Sequence, residues 1–237
     1  MIGHERIHVP ECESTQLLLS PDAPEGTVAT TDHQTAGRGR LGRRWLEPPG
    51  SSLLLSVLLR PPETSRPQEL SLVAAVATAQ AVEAATALPA RIKWPNDVLL
   101  ADTKVAGILA ELRAGAVVLG IGVNVTQTRA HLPLDAPPSK GKVAAGSLRT
   151  ATGRDHDREL LLDDLLARLD TAYQGWRAQG LAAVHDELAA RDVLHGREVV
   201  VGGKAGRARG IDASGRLRLE TASGTAVIES GEVLLEL

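Results

Sequence analysis

Lys93-Trp94-Pro95-Asn96-Asp97-Val98-Leu99-Leu100-Ala101-Asp102-Thr103-Lys104-Val105-Ala106-Gly107-Ile108-Leu109-Ala110-Glu111 is the stretch on which the architecture turns. Residues 91–94 and 98–100 read as β segments on either side of the Pro95-Asn96-Asp97 turn, since proline and an Asx side chain reverse the chain. The next apolar strand begins directly after Lys104, and residues 105–112 with 116–125 form a hairpin around Gly115. Two lysines and one carboxylate can therefore share one mouth of a sheet. Each also has a plainer reading, with Asp97 stabilising its turn and either lysine keeping an edge strand soluble.

Working outward, residues 1–10 and 28–31 read as strands, and Ser14-Thr15-Gln16 can open a brief helix through residue 19. Residues 52–59 form an apolar strand, and residues 67–88 an alanine-rich core helix. Residues 139–147 read as flexible. Residues 157–179 form an amphipathic helix with Leu162, Leu165, Leu169, Tyr173 and Trp176 at three- or four-residue spacing, followed by a short helix over 181–191. Beyond that the chain becomes short β segments with tight turns, over 198–201, 206–211, 216–220, 226–229 and 233–235. The domains expected are a catalytic unit over 1–191 and a small barrel over 192–237.

Composition narrows the classes. With 237 residues, 43% of them hydrophobic, a sizeable core is available. Lys and Arg total 26 against 29 Asp and Glu, and the net charge of −3 argues against wholesale attraction to nucleic acid or anionic membrane. A single cysteine, Cys12, leaves no disulfide framework and suits a reducing cytoplasm. No secretory signal is read at the N-terminus, and the longest apolar stretch, residues 70–88, is interrupted by polar side chains. The sequon Asn124-Val125-Thr126 is therefore read as chance. There is no Phe, one Tyr and three Trp, so each Trp needs a reason. Trp45 and Trp94 lie in polar motifs and are site candidates, whereas Trp176 falls on an apolar helical stripe.

Gln34-Thr35-Ala36-Gly37-Arg38-Gly39-Arg40-Leu41-Gly42-Arg43-Arg44-Trp45 packs four arginines among three glycines. Such a loop brings backbone N–H groups and guanidinium forks to phosphate oxygens and should become ordered around an anion. Gly37-x-Gly39-x-x-Gly42 satisfies the dinucleotide pattern, but Glu47-Pro48-Pro49 opens no helix, so that reading fails its context. A kinase reading fails too, lacking its catalytic-loop motifs. Gly120-Ile121-Gly122-Val123-Asn124 places two glycines in an apolar strand, which marks either close approach by a ligand or a bulge. Asn124 would need partners if buried, such as a purine edge or backbone.

In order and spacing, Ser14-Thr15, Gln34, Gly37-Arg38-Gly39-Arg40-x-Gly42-Arg43-x-Trp45, Lys93-Trp94-Pro95-Asn96-Asp97, Lys104-x-x-Gly107 and Gly120-x-Gly122-x-Asn124 together resemble the biotin protein ligase family. The resemblance is strong over 7–125 and weaker at Gly210-Ile211-Asp212-x-x-Gly215. It implies an α+β fold, a mixed β-sheet with flanking helices related to class II aminoacyl-tRNA synthetases, plus a C-terminal SH3-like barrel. It implies ATP-dependent biotinylation of a lysine on the biotin carboxyl carrier protein of acetyl-CoA carboxylase or a related carboxylase, through biotinyl-5′-AMP, with Mg²⁺ on the nucleotide. The residues it marks as catalytic are Lys104, Arg38 and Lys93. Biotin falls to Ser14, Thr15, Gln16, Gln34, Gly37, Arg38, Gly39, Arg40, Lys104 and Gly107. ATP and the adenylate fall to Arg38, Arg40, Arg43, Trp45, Asn96, Lys104 and Asn124, and Mg²⁺ to Asp97.

The chain also departs from that pattern. Leu41 stands where an arginine is frequent, and no basic residue lies near the C-terminus to reach the nucleotide. Ser14-Thr15 comes too early for a preceding DNA-binding domain, so neither DNA nor membrane is expected as a partner, while a homodimer is compatible. A lipoate or octanoate ligase, a nucleic-acid module built on the arginine loop, and a biotin-binding protein without catalysis are the rival readings.

Overall fold

A computed structural model describes residues 1–62, 66–132 and 141–235. Seven strands build the main sheet: β1 (Arg6–Cys12), β2 (Val28–Gln34), β3 (Ser52–Leu59), β4 (Ala90–Lys93), β5 (Asp97–Leu100), β6 (Thr103–Arg113) and β7 (Ala116–Asn124). Their spatial order is β1-β2-β3-β7-β6-β5-β4. The β1–β2 pair is parallel and every other pair antiparallel, so the sheet is mixed. Because β3 is central, all of its residues are buried, which explains why it reads as a continuous apolar run.

Alternation along the strands separates two faces. Leu53, Leu55, Val57 and Leu59 of β3 share one cluster with Val117, Leu119, Ile121 and Val123 of β7 and with α2 (Leu70–Thr86). That helix is alanine-rich and buried nearly all round because α4 (Arg158–Gln179) packs on its other side. Asp157 caps α4 by accepting from Glu159 N and Leu160 N, and Leu162, Leu165, Leu169, Tyr173 and Trp176 are its buried stripe. On the opposite face lies a smaller cluster of Leu19, Ala29, Leu58, Ala116 and Val118. There α1 (Thr15–Leu18) covers only part of the sheet, and the glycines of β6 and β7 share that face.

α3 (Leu148–Thr152) and α5 (His185–Arg191) complete the helices. Strands β8 (Glu198–Val201), β9 (Lys204–Ile211), β10 (Leu217–Thr221), β11 (Gly224–Ile228) and β12 (Val233–Leu235) form a separate antiparallel sheet in the order β11-β10-β9-β8-β12. The segment leading into it bridges Ile92 through Asp192, and Trp94 Nε1 donates to Gly215 O, between β9 and β10, at 2.9 Å.

Several expectations shift. β2 runs on to Gln34, so that side chain issues from a strand end rather than from a loop. The helix expected over 67–88 opens with a 3₁₀ turn, Pro67–Glu69, and that over 181–191 with another, Gly180–Val184. Of the stretch read as flexible, residues 139–140 lie outside the described residues and 141–147 is pinned. Lys104 N donates to Ala144 O at 2.8 Å, Gly146 N donates to Lys104 O at 2.9 Å, and Ser147 forms a capping box on α3. No helix among the described residues is long and apolar enough to cross a membrane.

Candidate active site

The face left open by α1 holds a cleft of about 380 Å³. Its polar end is built where β1 gives way to α1 and β2 ends. Ser14 occupies the N-cap position in an extended conformation, though its side chain makes no cap bond. Thr15 donates through N and Oγ1 to Gln34 Oε1 at 2.9 and 3.3 Å, and its hydroxyl lies 2.8 Å from Ser56 Oγ. Behind them Glu47 Oε1 accepts from Gln34 N at 3.0 Å and stands 3.3 Å from His33 Nδ1. Burial pushes the Glu47 carboxyl above its ordinary value, while the Gln34 bond and His33 pull it back.

The arginine loop is a small hairpin. Trp45 N donates to Gly37 O, Gly39 N donates to Arg43 O, and Arg38 bridges Arg44. Gly37 is required at its base, because a Cβ there would lie 2.6 Å from Trp45 O. Leu41, at the tip, adopts a left-handed φ of 58°. Each arginine has a protein acceptor: Arg38 faces Glu111 at 3.8 Å, Arg40 donates to Asn96 Oδ1 at 3.2 Å, Arg43 pairs with Glu232, and Arg44 donates to Thr35 O.

Trp45 lies on the glycine floor. A Cβ on Gly122 would sit 2.9 Å from its ring and one on Gly107 3.0 Å, so both glycines exist to admit the indole. Beside it Lys104 Nζ is 5.9 Å from the ring centroid and 2.6 Å from Asp97 Oδ1. The turn that delivers Asp97 has a cis Trp94–Pro95 peptide and is locked by two bonds, Asn96 Nδ2 to Ile108 O and Ile108 N to Asn96 O. Lys93 is more enclosed than its neighbour, and its Nζ donates to Val233 O at 2.6 Å. Burial lowers its pKa, partly offset by Asp97 and reinforced by Lys104.

Of the expected site residues, all line this cleft except Gly37, which stands behind it closing the hairpin. Trp94 lines it too, but its N–H serves the barrel. Asn124 is buried and its amide is engaged within the protein: Nδ2 donates to Gly146 O at 2.8 Å and Oδ1 accepts from Gln127 at 3.0 Å. Sequence reasoning missed Glu47, Ser56 and Gln127, which brace site residues from behind, and Gly231, Glu232 and Val233, which close one side of the cleft. Among the described residues no group of three His, Cys, Asp or Glu could hold a metal unaided. Asp97 offers one carboxylate, which suits an ion carried mainly by nucleotide phosphates.

A model of the Biotin/lipoate A/B protein ligase family matches residues 7–127, and one of the Biotin protein ligase C terminal domain matches residues 194–235. The chain is 36% identical to a Bifunctional ligase/repressor BirA of Bacillus spizizenii, covering 99% of this chain and 75% of that one. It is likewise 36% identical to a Biotin--[acetyl-CoA-carboxylase] ligase of Mycobacterium tuberculosis, covering 89% and 79%. A biotin protein ligase from Aquifex aeolicus, solved in complex with biotin and ATP, superposes with a TM-score of 0.87 at 32% identity, covering 98% of this chain and 99% of that one.

Proposed function

The chain belongs to the Biotin/lipoate A/B protein ligase family, and from that premise we propose how its cleft carries out ATP-dependent biotinylation. The observation that carries the proposal is the convergence of Lys104, Asp97, Trp45 and the arginine hairpin on a glycine floor that leads to the polar Thr15–Gln34 corner.

In the first step a biotin carboxylate oxygen bonds to the α-phosphorus of ATP and the bond to pyrophosphate breaks. Two anions must meet, so fixed positive charge is the chief requirement. Lys104 and Arg38 supply it at the reacting atoms, and Lys93, held by Val233 O, adds potential from behind. Ser14, Thr15, Gln16 and Gln34 complement the polar ring of biotin, while Gly107 and Gly39 let it approach the backbone. Trp45, Asn96, Arg40 and Arg43 enclose the nucleotide, with Asn124 shaping that end from within its own bonds. Mg²⁺, when bound, neutralises triphosphate charge, and Asp97 would be its protein carboxylate.

In the second step the amine of a carrier lysine attacks the acyl carbon, AMP leaves and the amine loses its proton. Closure of the hairpin keeps water from the mixed anhydride. The carrier is the biotin carboxyl carrier protein of acetyl-CoA carboxylase or a related carboxylase, in the cytoplasm, with the catalytic unit over 1–191 and the barrel over 192–237. The test is transfer: with biotin, ATP and Mg²⁺, a purified carrier domain should acquire avidin-binding material at one lysine, and its Lys→Arg variant none. Adenylate formation without carrier labelling would contradict the second step.

A further inference from the structure

The side chain of Gln16 lies across the sheet, 3% exposed, although it leaves a helix of a single turn. Its Nε2 donates to Leu109 O at 3.2 Å. From the far end of β6, Arg113 reaches back and donates Nη1 to Gln16 O at 2.7 Å and Nη2 to Gln16 Oε1 at 3.4 Å. The amide's orientation follows from its partners, oxygen toward the guanidinium and nitrogen toward the carbonyl. Glu111 pairs with the same guanidinium, so Arg113 is held on both sides.

Gly120 lies beneath this amide, where a Cβ would come 2.7 Å from Gln16 Nε2. Gln16 and Trp45 thus stand on adjacent same-face positions of β7, over Gly120 and Gly122. Two residues of strand separate them by about 6.6 Å. Trp45 faces the end of the cleft that holds Asp97 and Lys104, and Gln16 faces the Thr15–Gln34 end. Gln16 is therefore a wall at the end away from Asp97 and Lys104, with Arg113 joined through Glu111 to Arg38.

We infer that Arg113 is a positioning residue acting through Gln16: it locks the amide as the end wall of the acid-binding pocket and so sets the affinity for biotin without serving the nucleotide. The inference rests on the biotin-activating reading of the cleft. An arginine is needed because two acceptors on Gln16 and the Glu111 carboxylate must be met by one planar fork, which an ammonium cannot do. Released from Arg113, the amide regains its rotamers, and a guanidinium-assisted pair of bonds is lost.

The experiment measures pyrophosphate exchange as a function of biotin and of ATP for wild type, Arg113→Ala, Arg113→Lys and Gly120→Ala, with the double variant Arg113→Ala/Gly120→Ala. Arg113→Ala should raise the KM for biotin about ten-fold or more while KM for ATP rises much less, through the freed Glu111 acting on Arg38, and Arg113→Lys should fall between. Gly120→Ala crowds the amide from below, so it should raise KM for biotin alone. In the double variant its added effect should shrink, because an untethered Gln16 can move aside. Parallel rises in both KM values, an unchanged Arg113→Ala, or effects that simply multiply would overturn the inference. If Arg113→Ala does not fold, Arg113→Lys and Gly120→Ala decide by the same split. Wild-type protein inert toward biotin would instead remove the functional reading on which the inference depends.

Discussion

Replacing Lys104 with alanine removes the ammonium that lies 2.6 Å from Asp97 and 5.9 Å from the centre of the Trp45 ring. The two ends of the ion pair are only 29% and 21% exposed, so water screens the lysine incompletely. At an effective dielectric near 20, a unit charge and an anion about 4 Å apart interact by about 4 kcal/mol. Loss of one preorganised stabilising group costs about 2.7–4 kcal/mol, or roughly 10²–10³ in rate. Lys104→Ala should therefore slow single-turnover formation of biotinyl-AMP by about 10²–10³. The pair is still open to the cleft on one side, so breaking it costs folding on the order of 1 kcal/mol, and thermal unfolding should change little. Lys104→Arg keeps the charge but adds bulk where the lysine approaches the Gly107 floor, and it should recover part of the lost rate. An adenylation rate for Lys104→Ala within about three-fold of wild type, against that 10²-fold expectation, would refute the electrostatic role. So would a Lys104→Arg no faster than the alanine variant.

Gly122→Ala places a methyl 2.9 Å from the Trp45 ring, and overpacking of this kind costs about 1–3 kcal/mol; the indole should be displaced, with a changed tryptophan emission and a raised KM for ATP, and unaltered emission would contradict its seat. Arg40→Gly breaks the bond to Asn96 and loosens the hairpin, so free biotinyl-AMP should leak and label bystander lysines, detectable by mass spectrometry; full retention of the adenylate would count against hairpin closure. Glu47 has a folded pKa raised above 4.5 by burial, so the stability it contributes is present below 4.5 and lost as pH rises through the raised value. The melting temperature of Glu47→Gln relative to wild type should accordingly increase from acid to neutral pH, and a pH-independent difference would show that the carboxyl does not titrate as argued.

The strands that carry the site were legible because their patterns are local. The run over 52–59 is apolar throughout because β3 is central, and the Pro95-Asn96-Asp97 turn sits between two β segments as its residues require. Trp176 was readable as packing from its helical stripe. What local pattern cannot supply is a partner distant in sequence. The amide of Asn124 called for a purine edge or backbone partner, and spacing could not say that it is Gly146 O, in a segment whose small residues suggested looseness. The acceptor of Lys93 is a barrel carbonyl 140 positions away, invisible to any spacing argument. Arg113 was within reach: counting by two from Gly107 through Leu109 and Glu111 puts it on the cleft face, and ending the strand at residue 112 hid it.

The measurement that tests the central claim most directly is biotin-dependent exchange of labelled pyrophosphate into ATP by the wild-type chain with Mg²⁺, run beside lipoate and beside no added acid. Exchange should occur with biotin and stay at background with lipoate. No exchange with biotin from folded protein, or exchange with lipoate at an equal rate, would contradict a cleft built to activate biotin.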